Sequence, residues 1–460
     1  MIGASKGEKL ESMDGDLVDI QIGDGMGQDA FMSIETNSIK DDFVALVLFV
    51  VVIFATTTAG VFGPPRDING WSQSSFGKSG SNSIHQTLTN LSPMNQFLHM
   101  CLEFHHSVVA NYTIIPVSFS YTLTFRLAGS EVRRQQGIFN ITANFTANHD
   151  SSIPYYFFKD QFLKYDEATI NIDFIDVSDI IDAVLIWKHG DPNHALFQAW
   201  IRFIYSIASL SVSILFVYRL FLVARQSWCI EQKLTILLHV FAIFGANPLY
   251  ILFVFRPSIF QASLNSLLFQ LFVCYVNFFM LVILDNLKLK DRRDRGFFFL
   301  PKIVLFIIQL VVESITAILN ENTSSFSTTS TYTVFYQIHK LITGIYIAWF
   351  IVLSLKAFKS IDQTEVHKFV VYTIVFCITL VLSLSETFAE KLSFLQGTSG
   401  SFAMQFSSLH AFVILMAFFH WPFESSIDQQ YNDAEKNPAQ FFEADVDPNQ
   451  VNNKPHENSE

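Results

Sequence analysis

Eight apolar runs constrain this chain more tightly than any motif in it. They cover approximately residues 43–62, 197–223, 233–255, 262–284, 297–320, 333–355, 368–389 and 402–422. Each can cross roughly 30 Å of hydrocarbon at about 1.5 Å per residue. Their spacing is uneven: one run stands alone, residues 63–196 intervene, and seven runs follow with short connections. The expected fold class is a membrane all-α bundle, one N-terminal span plus a seven-helix core, with a separate domain in the insert. The first run, Phe43 to Phe62, is longer than the roughly 7–15-residue apolar core of a signal peptide. It also follows an acidic leader, so it reads as a retained anchor.

Composition supports the same class. Of 460 residues, 50% are hydrophobic and 15% charged, against about 25% charged in soluble domains. The net charge of −12 gathers at the ends. Residues 1–42 hold ten acids against three Lys, and residues from Glu424 onward hold nine acids against two. Both ends (1–42 and 423–460) are polar and aperiodic, and are expected to be disordered cytosolic tails. Their acidity excludes nucleic acid as a partner.

Basic residues in short loops set the orientation. Lys288, Lys290, Arg292, Arg293 and Arg295 lie between the fourth and fifth runs. Placing that loop in the cytosol puts both termini there too, and puts residues 63–196 in the lumen or outside the cell. The sequons at Asn90, Asn111, Asn140, Asn144 and Asn322 then all fall on the lumenal side, where glycosylation occurs.

The insert is patterned for strands. His106 to Leu127 and Gly137 to Ala147 are rich in β-branched and aromatic residues, and Thr169 to Lys188 is also β-prone. A lumenal β-sandwich over 63–196 is expected. Cys101 is its one cysteine, so no disulfide closes within it.

No catalytic or metal-binding signature is present: there is no H-E-x-x-H, no G-x-S-x-G and no paired Cys/His set. The chain is read as a non-enzyme without cofactor or metal. Ionisable residues inside spans cost roughly 2.5–3.5 kcal/mol and usually face the bundle interior. Glu313 and His339 with Lys340 lie level on neighbouring antiparallel spans, about 10 Å from the lumenal ends, so Glu313 and Lys340 are placed to pair. With Asn247, which precedes Pro248 and interrupts its span, and Glu386 near the lumenal rim, they outline a polar cavity in the lumenal half. Two readings stay open, a site for a ligand or lipid headgroup and an ion pair that fixes packing. The cytosolic half offers only His239 and Lys302, too sparse a path for a channel or transporter.

Trp228-Cys229-Ile230-Glu231-Gln232-Lys233 falls at a cytosolic turn between the second and third spans. Trp228 suits the headgroup region and Glu231 favours the start of the next helix. Cys229 lacks a neighbouring base to make it nucleophilic, although a juxtamembrane thiol suits reversible palmitoylation.

This turn also resembles the Trp-Gly-Ile-Glu-Gln-Lys turn of the Wntless-like seven-transmembrane proteins with a lumenal GOLD-type domain, in their transmembrane protein 181 branch. Trp200-Ile201-Arg202-Phe203, Phe299-Leu300-Pro301-Lys302 and Lys436-Asn437-Pro438-Ala439 carry the same likeness. Cys229 stands in place of glycine, Asn247 in place of an aspartate before the proline, and extra lumenal cysteines are missing. The resemblance implies a trafficking, cargo or ligand receptor of the Golgi, endosome or plasma membrane, in a branch linked to bacterial-toxin action. The partners it implies are membrane lipids, a lumenal or extracellular protein or lipid ligand, and cytosolic sorting adaptors on the C-terminal tail. A G-protein-coupled receptor is the alternative, but Asp291-Arg292-Arg293 lies past its helix and the last span has no N-P-x-x-Y.

Overall fold

The computed structural model describes residues 32–76, 82–106, 112–147, 149–177, 180–222, 228–256, 258–287, 295–322, 330–361, 365–383, 395 and 397–422. The insert folds into eight strands: β1 Asp67–Ser75, β2 Ser83–Leu88, β3 Leu98–His105, β4 Thr113–Leu127, β5 Ser130–Phe145, β6 Tyr155–Asp160, β7 Glu167–Asp176 and β8 Asp182–Gly190. They form two antiparallel four-stranded sheets, ordered β1-β8-β3-β6 and β2-β7-β4-β5. This is the expected sandwich. The β-prone stretch from Thr169 to Lys188 proves to be two strands in different sheets.

Alternation drives this fold. Along β4, Ile115, Val117, Phe119, Tyr121, Leu123 and Phe125 turn inward, while the residues between them stay partly exposed. They meet Phe104, Phe145, Ile170, Ile172 and Leu185 in one core. Each fully buried side chain of this size contributes about 1.5–3 kcal/mol, so the domain holds together although Cys101 is unpaired. The β4–β5 hairpin turns at Ala128-Gly129, where φ is +50° and +80°. Positive φ at both centres is the type I′ geometry that matches strand twist, and Gly129 adopts it without steric cost.

The helices are α1 Ser33–Thr36, α2 Ile39–Val61, α3 Pro192–Leu222, α4 Ile230–Ala246, α5 Tyr250–Phe255, α6 Ile259–Asn286, α7 Arg295–Asn322, α8 Ser330–Ser360, α9 Val366–Ser383 and α10 Gly400–Phe419. Among the described residues, eight helical segments are long and apolar enough to span a membrane, with α4 and α5 forming one of them. The α4–α5 segment breaks at Asn247, whose φ is +47°, because Pro248 has no N–H to continue the ladder. Gly60 of α2 lets that helix approach α10 closely: a Cβ there would lie 2.8 Å from the Cβ of Ala403.

The chain divides into two compact units. Residues 43–211 with 237–415 make the larger, which contains the sandwich. The smaller comprises residues through Asp42, Val212–Ile236 and Met416 onward. Within it, residues 32–42 depart from the expected disordered tail. Met32 and Ile34 are buried, Met32 bridges to Pro422, and the Ser33 N–H donates to the Trp421 carbonyl at 2.9 Å. The two apolar side chains supply burial that the surrounding acidic sequence lacks.

Candidate functional site

A cavity of about 680 Å³ lies within the larger unit, lined by the β1-β8-β3-β6 sheet and by the ends of α3, α5, α6 and α10. Sheet register builds one wall. Lys188 pairs with His99, and His99 pairs with Lys159. Directly opposed residues share a face, so these three form a row across β8, β3 and β6. Arg66 and Asp67 add to the lining where the chain enters β1, and Asp67 pairs with Lys188. Burial first, then the charges of Lys159 and Lys188, lower the His99 pKa from 6.5 to about 4.

The helical wall is a directional hydrogen-bond chain. Gln96 Nε2 donates to the Tyr250 hydroxyl at 2.9 Å, and that hydroxyl donates to Gln198 Oε1 at 2.6 Å. Gln198 Nε2 lies 3.0 Å from His194 Nε2, and His194 Nδ1 lies 2.7 Å from Ser399 Oγ, which donates to the Pro64 carbonyl at 2.5 Å. Donors and acceptors alternate consistently if His194 carries its proton on Nδ1. Five segments distant in sequence are thereby tied together, and the first turns of α3 and α10 meet at the cavity.

Arg202 of α3 lies against this network. Its Nη1 reaches the Gly245 and Ala246 carbonyls at 3.5 and 3.4 Å. Those carbonyls end α4, where the Asn247-Pro248 break leaves them without helical partners. The guanidinium carbon also sits 4.5 Å from the Tyr250 ring centroid, 5.2 Å from Phe406 and 5.5 Å from Phe402. The buried cation is thus held by backbone dipoles and ring faces. It was visible in the sequence as an arginine inside an apolar span, but its partners come from segments that only folding joins.

The residues expected to share one polar cavity are separated. Asn247 adjoins the lining, donating from Nδ2 to Asn265 Oδ1 at 2.9 Å. Glu313 pairs with His339 at 3.0 Å rather than with Lys340, whose Nζ lies 4.2 Å from the Tyr336 ring centroid. Neighbouring helical positions point about 100° apart, so only one of the two can face α7. Neither Glu313 nor His339 lines the cavity described above. Glu386 lies outside the described residues. Of the sequons, Asn90 and Asn140 are exposed and Asn144 is half-buried. Asn322 ends α7, and Asn111 lies outside the described residues.

In the smaller unit, the 228–233 turn is a lock. Gln232 is fully buried, accepts from the Cys229 N–H at 3.1 Å and donates to the His420 carbonyl at 3.3 Å. Thr235 Oγ1 meets His420 Nδ1 at 2.6 Å. The Trp228 indole donates to the Leu220 carbonyl at 3.0 Å, capping the end of α3 rather than standing clear of the protein. Glu231 occupies the first turn of α4 and Lys233 is exposed.

Residues 191–424, just over half the chain, match the family described as Wntless-like, transmembrane domain. Transmembrane protein 181 of Homo sapiens is 26% identical over 152 residues, which cover 33% of this chain and 31% of that protein. The match therefore spans about a third of that relative's length.

Proposed function

The chain belongs to the Wntless-like family, and from that premise we propose that it is a trafficking or ligand receptor, with its sandwich in the lumen or outside the cell and both termini in the cytosol. It takes its ligand at the cavity between the sandwich and the helix ends, and engages cytosolic sorting adaptors through residues 423–460. Golgi, endosome and plasma membrane are the compartments this cycle would visit. The observation that carries the reading is the cavity, about 680 Å³ and built jointly by sheet and helices. That volume is within the usual range of roughly 300–1,000 Å³ for ligand sites. A secreted bacterial toxin is one extracellular ligand to test, given the branch that the sequence resembles.

Two tags test the proposal, one inserted at the exposed β4–β5 turn and one at the N-terminus. Antibody should reach the first without membrane permeabilisation on surface-exposed protein, and the second only after it. Deleting 423–460 should shift the steady-state compartment while leaving the amount of folded protein unchanged. Unchanged distribution after the deletion, or surface exposure of the N-terminal tag, would reject the receptor cycle as drawn.

A further inference from the structure

We propose that the cavity recognises an anionic group, a phosphate, sulfate or carboxylate, held between the Lys188–His99–Lys159 row and the first turns of α6 and α10. The proposal rests on the receptor reading and adds the chemical class of the ligand.

Charge distribution is the first argument. The chain is strongly acidic, at −12, yet three basic side chains, Arg66, Lys159 and Lys188, line this cavity. Asp67 is the one carboxylate among its described lining residues, and it is engaged with Lys188. His99, neutral above its pKa of about 4, sits between the two lysines, and Asp67 offsets one of the three cations. The lining therefore carries more cationic than anionic side chains, and an anion seated against the row would be attracted by Lys159, Lys188 and Arg66.

Helix polarity is the second argument, and it arises from different atoms. Ser258, Gln261 and Asn265 at the start of α6 line the cavity, as do Ser401 and Gln405 at the start of α10. The N-terminal ends of long helices carry positive partial charge and favour anions. The start of α3 also meets the cavity, but Asp191 caps it, accepting from the Asn193 N–H at 2.8 Å. The caps of α6 and α10 are neutral hydroxyls, Ser258 accepting from the Gln261 N–H at 3.3 Å and Thr398 from the Gly400 N–H at 3.1 Å, so among the described residues no carboxylate caps the positive ends of these two helices. Phe253 and Phe402 lie in the same lining, so an apolar portion attached to the anion would also find a surface.

The test uses the full chain in phosphatidylcholine nanodiscs and reads the thermal midpoint during titration with three probes: inorganic phosphate, lysophosphatidate and monoacylglycerol with the same acyl chain. Lysophosphatidate should raise the midpoint saturably and monoacylglycerol should not. A matching effect of inorganic phosphate would identify a free anion as sufficient. Its absence would identify a lipid headgroup that needs its chain. Lys159→Gln/Lys188→Gln should weaken the effective probe at least about tenfold, roughly 1.4 kcal/mol. Lys159→Arg/Lys188→Arg should retain it, which separates loss of charge from loss of fold. Equal response to monoacylglycerol and lysophosphatidate, no response to either anion, or full retention by the Gln pair would overturn the proposal. The tail-deletion and tag results would stand in that case, so the two failures are distinguishable.

Discussion

Two polar clusters in this molecule differ in what holds them. Around the cavity, Gln96, Tyr250, Gln198, His194 and Ser399 bond in sequence across four distant segments, with Arg202 packed behind them. On α7 and α8, Glu313 and His339 meet at 3.0 Å. The first cluster joins sheet to helices and adjoins a space that can hold a ligand. The second joins two adjacent helices and lines no part of that space. Of the charged residues inside spans, Arg202 packs on the first cluster and Glu313 does not, so formal charge alone is a poorer guide to this cavity than the neutral amides, hydroxyls and histidines at helix ends.

The sharpest way to break this contrast is at Arg202. Arg202→Met removes two carbonyl contacts and a guanidinium among three rings. A loss of roughly 2–4 kcal/mol is expected from charged hydrogen bonds and desolvated cation–π contacts, measured by denaturant titration in mixed micelles. A shift below the experimental scatter would show that Arg202 does not bind the two helices together.

Ser399→Ala comes next. It strips the Pro64 carbonyl and His194 of their shared partner, and about 1–2 kcal/mol should be lost in the same titration. With Ser399 already replaced, His194→Gln should cost less than it does with Ser399 intact, because the two residues share one contact.

Acidification probes the sandwich wall. Burial, Lys159 and Lys188 hold the folded-state pKa of His99 at about 4, below the ordinary 6.5, against a smaller opposing effect of Asp67. The neutral ring's contribution is therefore complete above pH 6.5 and is lost as the pH falls from there towards 4. The thermal midpoint should drop across that window, and His99→Gln should flatten the drop. A variant as acid-sensitive as the parent would assign the effect to another group.

Glu313→Gln is expected to do least, about 0.6 kcal/mol, the average for polar contacts between membrane helices. It should leave lysophosphatidate binding intact. Lost binding in this variant would move the site to α7 and α8 and reverse the contrast.

Much of the architecture was legible because hydrophobic length and period-two alternation are local properties. The eight runs became eight apolar helical segments, and β4 and β5 came from stretches rich in β-branched and aromatic residues. Strands β1, β2, β3 and β6 lie outside those stretches; Asn69 and Gln73 dilute the pattern of β1, and His85 and Gln86 that of β2. The cavity was less legible. Among the described residues expected there, only Asn247 adjoins it, because Lys159, Lys188 and His99 become neighbours through antiparallel register. Gln198 and Tyr250 meet only because the Asn247-Pro248 break starts a new helix at Tyr250. The pairing of Glu313 with His339 instead of Lys340 turned on helical phase, which depth along the membrane does not specify.

The most direct measurement of where ligand binds is photolabelling of the full chain in nanodiscs with a lysophosphatidate carrying a diazirine beside its phosphate, followed by peptide mapping. The expected result is label on the first turns of α6 and α10 and on β3 or β8, displaced by excess unlabelled lysophosphatidate and absent in Lys159→Gln/Lys188→Gln. Displaceable label confined to α7 and α8 around Glu313 and His339 would contradict the assignment of the site.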